Sequence, residues 1–359
     1  MNAPFRFDVA ASLRLADLAD PNEAQAIEAF VAAHPEGTPF HRPVWLKAVA
    51  RGTGNAALAL VMERCGVVEA YLPLTQVSSP VFGRVLASSG FAVGGGVLAG
   101  EGVDPAPLFK AVEELAQRRA TPAVELRGGL LPDARDGWHI KTQSHCGFAR
   151  PLAESDEGEL TTIPRKQRAE VRKSLSGDLT VEIGTGEADR AAHYAVYAAS
   201  VHNLGTPVFP RSLFDAVLDG FGADADILTV RHGGVAVASV LSLYHNGAVM
   251  PYWGGGTFAA RALRANDRMY YELMLHARRR GCTRFDFGRS KTNSGPYHFK
   301  RNWGFEPQPL SYGVWNASDA PRRDADPTSS GNSRLVDLWK KLPLPVANLL
   351  GPWIARGLG

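Results

Sequence analysis

From Gly281 to Pro309 the chain reads GCTRFDFGRSKTNSGPYHFKRNWGFEPQP, its densest run of residues able to do chemistry. Asp286 can take a proton, Arg289, Lys291 and Lys300 can hold anionic charge, Tyr297 can give a proton, and Phe299 and Trp303 can wall a ligand. Such a mixture suits a site better than a solvated turn. The competing reading is a surface turn in which Asp286 merely pairs with Arg284 or Arg289. Two motif matches are set aside. Asp286-Phe287-Gly288 spells the kinase magnesium motif without the Gly-rich loop, strand lysine or His-Arg-Asp loop that motif requires, and Ser290 lacks a nucleophile-elbow pattern.

These residues need elements to place them. Arg284 to Gly288 alternates as a short strand does, after a helical run that stops at Gly281, and ligands of open α/β sheets collect just beyond the carboxyl ends of strands. The helix expected over about Asn266 to Arg280 follows Gly254-Gly255-Gly256, with Arg261, Arg264 and Arg268 at or before its start. Backbone donors there form an anion site, so Gly254, Gly255, Arg261 and Arg264 join the candidates for binding a phosphate-bearing cofactor. A pure packing role for the glycines is the alternative. Thr161 to Gly177 reads as one basic amphipathic helix whose Arg165, Arg168 and Arg172 share a face, and if that face lies across the cleft from Lys291 and Lys300 it forms a charged track. Asn203 to Pro210 is a stiff loop, a lid or a connector, that brings Thr206 and Phe209 to the substrate side.

The same order of elements occurs twice. Strand, turn, long strand, hairpin, strand, glycine triplet, helix and closing strand run over Asp226 to Asp286 and, with little identity, over Ala56 to Arg127. The glycine triplets at 94–96 and 254–256 lie 160 residues apart, and Glu125 and Asp286 lie 161 apart. Duplication explains this economically. Each copy is expected to be a mixed sheet flanked by helices, an α+β fold, with the reacting site only in the second copy, because the first follows its closing strand with Arg127-Gly128-Gly129 and no lysines or aromatics.

A chain of 359 residues, 45% hydrophobic and 21% charged, can build two or three globular units. Cys65, Cys146 and Cys282 are odd in number and too far apart for metal spacing, which points to a reducing compartment and no metal site. Arg6, Asp8, Arg14 and Asp17 interrupt the N-terminal apolar residues, so no secretory signal is read there. Net charge is +3, yet 164–173 carries five basic residues and one acidic and 278–301 carries eight and one, or +4 and +7, leaving 3 − 11 = −8 elsewhere. Two focused basic patches fit the phosphates of a cofactor or a tRNA end better than a general nucleic-acid coat, and no DNA partner is expected. Asp319 to Ser333 reads as a linker, and Leu335 to Leu358 as an apolar tail that docks on the body or meets a membrane surface.

Several short motifs occur together: Thr38-Pro39-Phe40-His41 with Trp45, Ile163-Pro164-Arg165-Lys166-Gln167-Arg168 with Arg172, Leu204 to Pro210, Asp286 to Lys291, and Tyr297 to Phe305. Jointly they make the chain resemble the FemAB-related family of tandem GNAT-like acyltransferases, in the branch associated with the exosortase and PEP-CTERM sorting system. The resemblance implies two lobes of the acyl-CoA N-acyltransferase type, here 1–155 and 156–318 with the linker and tail over 319–359. It implies transfer of an acyl or aminoacyl group to a small-molecule or glycan amine, with no tightly bound cofactor and an aminoacyl-tRNA or acyl thioester as co-substrate. It also implies a cytoplasmic protein, at or near the inner membrane surface, serving extracellular polysaccharide and protein sorting. On that chemistry Asp286 accepts the amine proton or orients the amine, Lys300 with Arg289 and Lys291 meets phosphate or oxyanion charge, and Tyr297 is the acid. Arg165, Arg168 and Arg172 would hold the donor. The acetyl-CoA motif Arg-x-x-Gly-x-Ala occurs at Arg231 to Ala236, in a hairpin turn rather than before the phosphate-binding helix. The alternative from another class is a catalytically silent module that recognises a nucleotide-linked sugar, an RNA end or a sorting-system partner.

Overall fold

A computed structural model of the protein describes residues 12–80, 82–133, 137–317 and 333–359. The linker read at Asp319 to Ser333 lies outside them except for Ser333, and so does the stretch preceding Ser12. The first half runs β1 (Ser12–Leu15), α1 (Pro21–Ala33), α2 (Pro43–Thr53), β2 (Ala56–Arg64), β3 (Val67–Ser79), β4 (Gly83–Ser88), β5 (Leu98–Ala99), α3 (Ala106–Arg118), β6 (Ala123–Arg127) and β7 (Trp138–Pro151). Next come α4 (Asp156–Thr162), α5 (Arg165–Leu175), β8 (Leu179–Gly184), α6 (Glu187–Leu204), α7 (Arg211–Phe221), β9 (Ala225–His232), β10 (Val235–His245) and β11 (Ala248–Gly256). The chain continues through α8 (Ala260–Leu263), α9 (Ala265–Arg279), β12 (Arg284–Lys291), α10 (Gly295–Asn302), β13 (Gln308–Asn316), α11 (Ser333–Lys341) and α12 (Leu344–Ala355).

One continuous mixed sheet runs β1-β2-β3-β4-β6-β13-β7-β12-β11-β10-β9-β8, with β5 beside β3. Read from either end the order is the same, so the duplication seen in the sequence is a two-fold pattern in space. β4 and β6 pair in parallel, as do β11 and β12, and every other neighbouring pair on the path is antiparallel. Val124 and Leu126 pack under α3, and Phe285 and Phe287 under α9, leaving Glu125 and Asp286 on the opposite face of their strands. The fold is mixed α/β, built of two lobes that repeat one order of strands.

The lobes trade their last strands. β7 leaves the first lobe to pair with β12, β13 leaves the second to pair with β6, and the two pair with each other at the centre. Neither lobe thus carries a free edge at its centre. An aromatic cluster seals the faces: Trp45 lies 4.8 Å from Phe40, 5.5 Å from Tyr252 and 5.8 Å from Trp253. The Thr38 to Trp45 motif is therefore interlobe packing. His41, which accepts the Thr38 N–H at Nδ1, is pushed down to about 3 by burial.

Two elements differ from the sequence reading. The basic helix is broken at Ile163-Pro164 into α4 and α5, because the residue before a proline is driven out of helical geometry, and Ile163 adopts an extended ψ of 131°. The polar stretch after β12, for which no helix was expected, contains α10, capped by Ser294 and with Pro296 in its first turn.

Expressed alone, residues 1–155 hold β6 and β7 but lack the strand that lies between them. We expect that fragment to aggregate or to lose its near-ultraviolet circular dichroism, and co-expression with 156–359 to restore a cooperative fold. A monomeric fragment that unfolds cooperatively would contradict the exchange.

Candidate active site

β11 and β12 share only two registered pairs, Ala248 with Arg284 and Val249 with Phe285, and then part. Both strands are irregular where they separate. β11 carries an extra residue against β10 at Tyr252, and β12 shifts against β7 between Asp286 and Arg289, where Gly288 adopts φ +67°. A residue with a Cβ is strained at that φ, so glycine permits the bulge. The opening is a cleft of about 600 Å³. Its lining includes Tyr252 and Gly254 to Gly256 from β11, Gly288 and Arg289 from β12, Phe299 and Lys300 from α10, and Arg261 and Asn266 from the α8–α9 corner.

Lys300 is the chemically distinctive member. It is 8% exposed, donates to the Arg289 carbonyl at 2.9 Å, and holds its Nζ 5.4 Å from the Phe148 ring centre and 5.5 Å from that of Phe287. Burial pushes its ammonium down to about 7, although the neighbouring Asp286 opposes the shift. Burial raises the Asp286 carboxyl above its usual range, against the Gly288 N–H that donates to it at 2.8 Å and the charges of Arg284 and Lys300. Arg289 reaches across to the Tyr312 hydroxyl at 3.1 Å. Arg261, Arg289 and Lys300 give the lining three cations, and among the described residues no carboxylate lines it.

Of the residues singled out from the sequence, Gly254, Gly255, Arg261, Arg289, Phe299 and Lys300 meet in this cleft. The glycines serve close approach, since a side chain at Gly255 would collide with Ser200 and one at Gly256 would press on Ala260 and Asn266. Asp286 does not line the cleft, but its charge reaches Lys300. Tyr297 packs 5.4 Å from Phe148, and Trp303 is fully buried beside Tyr270 and Phe299, so it supports α10 from within the core. Lys291 is exposed at the end of β12. Thr206 bonds back to the Val201 carbonyl, while Phe209 packs on Phe91 and Trp253. Arg264 pairs with Glu170 of α5, and Arg168 donates to the Ile163 and Thr161 carbonyls at 3.0 and 2.8 Å. Arg165 and Arg172 are exposed, and no residue of α5 lines the cleft. Sequence reading missed Tyr252, Asn266, Ser200 and Asn203. The one available signal was the proximity of Asn203 to the Leu204 to Pro210 motif.

The matching opening in the first lobe is filled. β4 and β6 also share two registered pairs before parting. Arg127, 4% exposed, occupies the gap: it pairs with Glu125 at 3.0 Å and donates to the carbonyls of Ala92 at 3.0 Å and Gly359 at 2.7 Å. The Arg231 to Ala236 motif lies in the β9–β10 hairpin, where Arg231 pairs with Glu182 at 2.6 Å, consistent with its reading as a turn.

Residues 163–301 match the family model of an acetyltransferase (GNAT) domain. Among solved structures, FemX superposes with a TM-score of 0.64 at 16% identity over 89% of this chain and 98% of that one. A tandem GNAT protein from the clavulanic acid biosynthesis pathway gives 0.57 at 12% identity, covering 87% of this chain and 100% of that one. L-PGS from Bacillus licheniformis gives 0.52 at 14%, covering 95% and 97%. No curated protein sequence matches the chain. Residues 163–301 are thus similar to a GNAT-type acetyltransferase domain, and the fold as a whole is similar to that of tandem GNAT proteins.

A buried lysine with so low a proton affinity costs folding energy wherever it must stay charged. With its folded value below its unfolded one, the unfolded chain binds the extra proton from about pH 7 up to the ordinary lysine range, so this group's contribution to stability rises with pH across that window. We expect Lys300→Met to raise Tm by several degrees at pH 6 and by less at pH 9. A uniform loss of stability at both pH values would show that Lys300 is needed as a structural ion.

Proposed function

We propose that the protein is an N-acyltransferase that moves an acyl group from an activated donor to an amine within the β11–β12 cleft. In this reading 156–318 supplies the reacting site and 1–155 supports it. The observation that carries it is the coincidence, in one opening, of two arginines without a carboxylate among the described lining residues and a lysine held near neutrality. The cations suit a phosphorylated donor, and the lysine suits an amine that must lose a proton.

The roles follow from position. Lys300, at the cleft, takes the proton as the amine nitrogen attacks the acyl carbonyl, and returns it to the departing thiolate or alkoxide. Asp286, whose charge reaches it, steadies the resulting ammonium, which reverses the division of labour expected from sequence. Arg289 and Arg261 hold donor phosphate, and the carbon–nitrogen bond replaces the carbon–sulfur or carbon–oxygen bond without a covalent enzyme intermediate. We take the donor to be a compact thioester, because Arg168 and Arg264 are bonded within the protein and α5 stands outside the cleft lining. Aminoacyl-tRNA is the second reading, favoured by the exposed Arg165 and Arg172. Service to extracellular polysaccharide and exosortase-dependent sorting is carried by the motif resemblance alone.

If Lys300 is the base, kcat/KM should rise with pH and level off above about 7, and Lys300→Ala should lower it by ~10²–10⁴. Activity that instead falls through the same pH would assign Lys300 a purely cationic role. Failure to release acyl groups from any donor, with ligand binding intact, would support the silent-module alternative. For the donor, Arg165→Ala with Arg172→Ala should leave affinity nearly unchanged. Under the tRNA reading each lost contact would instead flatten the slope of log affinity against log salt by ~0.7–0.9.

A further inference from the structure

The helix α12 is packed inside out. α12 has no charged residue, and it turns its small residues Ala347, Gly351 and Ala355 toward the body, where Gly351 abuts Val208. Its large apolar residues face solvent: Leu349 is 78% exposed, Trp353 53%, Leu350 44% and Val346 41%, with Leu338 of α11 at 61%. A helix that only capped the body would bury the large residues and expose the small ones. Exposed Lys340, Lys341 and Arg356 flank this face, and residues 333–359 hold four basic residues and one acidic, for +3.

We propose that this face is a docking surface for an anionic lipid bilayer. An uncharged apolar face with an exposed tryptophan and a basic rim matches the interfacial boundary of a membrane, where apolar side chains enter the acyl region and lysines meet lipid phosphates. A symmetric pairing with a second copy would set Lys340, Lys341 and Arg356 against themselves, which like-charge repulsion opposes.

The face is also tied to the cleft. α11 and α12 pack on α6, His202 of α6 bonds the Leu342 carbonyl at 3.0 Å, and Val336 and Lys340 crowd Gly205. The residue between, Leu204, is 63% exposed and lines the cleft, as does Phe258, which is 81% exposed, so both mark its solvent side. Docking therefore brings the cleft mouth to the bilayer surface and selects a substrate carried on a lipid. That second part rests on the acyl-transfer reading; the docking does not.

The test is sedimentation of the full chain with vesicles of phosphatidylcholine alone and of phosphatidylcholine mixed equally with phosphatidylglycerol. We expect binding to the anionic vesicles only, lowered at least ~10-fold by Leu349→Ser with Trp353→Ser and by Lys340→Glu with Lys341→Glu, with unchanged circular dichroism. Brominated phosphatidylglycerol should quench a tryptophan placed at Phe258 in a Trp353→Phe background beyond any quenching of the Trp353→Phe parent, whose six remaining tryptophans set the baseline, and this difference reports the cleft without any assay of transfer. Absence of anionic-vesicle binding, or binding indifferent to both double changes, overturns the proposal. A dimer abolished by the Leu349/Trp353 change, without vesicle binding, would give the face to a second copy instead. Binding without quenching at position 258 would overturn the placement of the cleft at the membrane.

Discussion

Two parallel strands that part after two residue pairs leave backbone donors and acceptors facing each other across a gap, and such groups must find other partners. The structure meets that demand differently in its two copies. In the first lobe Arg127 fills the gap and satisfies carbonyls from it, so the opening is closed. In the second, β12 bulges at Gly288, Asp286 accepts the Gly288 N–H, and Lys300 donates to the Arg289 carbonyl, so the opening remains a cleft lined by Arg261, Arg289 and Lys300. One topology thus yields a packed gap and a reactive one.

The strand exchange makes this division stable. Because β7 and β13 lie between the lobes, β12 is held on its far side by a strand from the other half of the chain, and the bulge between Asp286 and Arg289 can persist without fraying. Aromatic packing of Phe40 and Trp45 on Tyr252 and Trp253 fixes the opposite wall, and the Tyr252 hydroxyl donates to the Phe91 carbonyl of the first lobe. The cleft is therefore built from both halves even though its polar groups come from the second.

Much of the fold was legible because it is written in periodicity. The apolar run Val235 to Tyr244, the hairpin at Asn246-Gly247 and the spacing of α9 each have one good structural solution, and the duplicated order followed from them. The motif around Lys300 was legible as chemistry but not as geometry: α10 is a single short polar helix whose Ser-Gly-Pro start reads as a turn, and only tertiary packing on Phe148 and Phe287 buries its lysine. The strand exchange had no local signal, since β7 and β13 look alike whichever lobe they join. The basic residues of α5 looked like one track, but Pro164 breaks the helix and turns Arg168 back onto α4.

Lys300 near neutrality at the floor of an open β11–β12 gap is the centre of this account. A crystal structure with a non-hydrolysable ketone analogue of an acyl thioester tests it most directly. The account predicts the ketone oxygen and acyl chain between Tyr252 and Lys300, with the donor phosphates toward Arg261 and Arg289. Analogue bound in the first lobe around Gly94 to Arg127, or on α5 with the β11–β12 cleft empty, would contradict it.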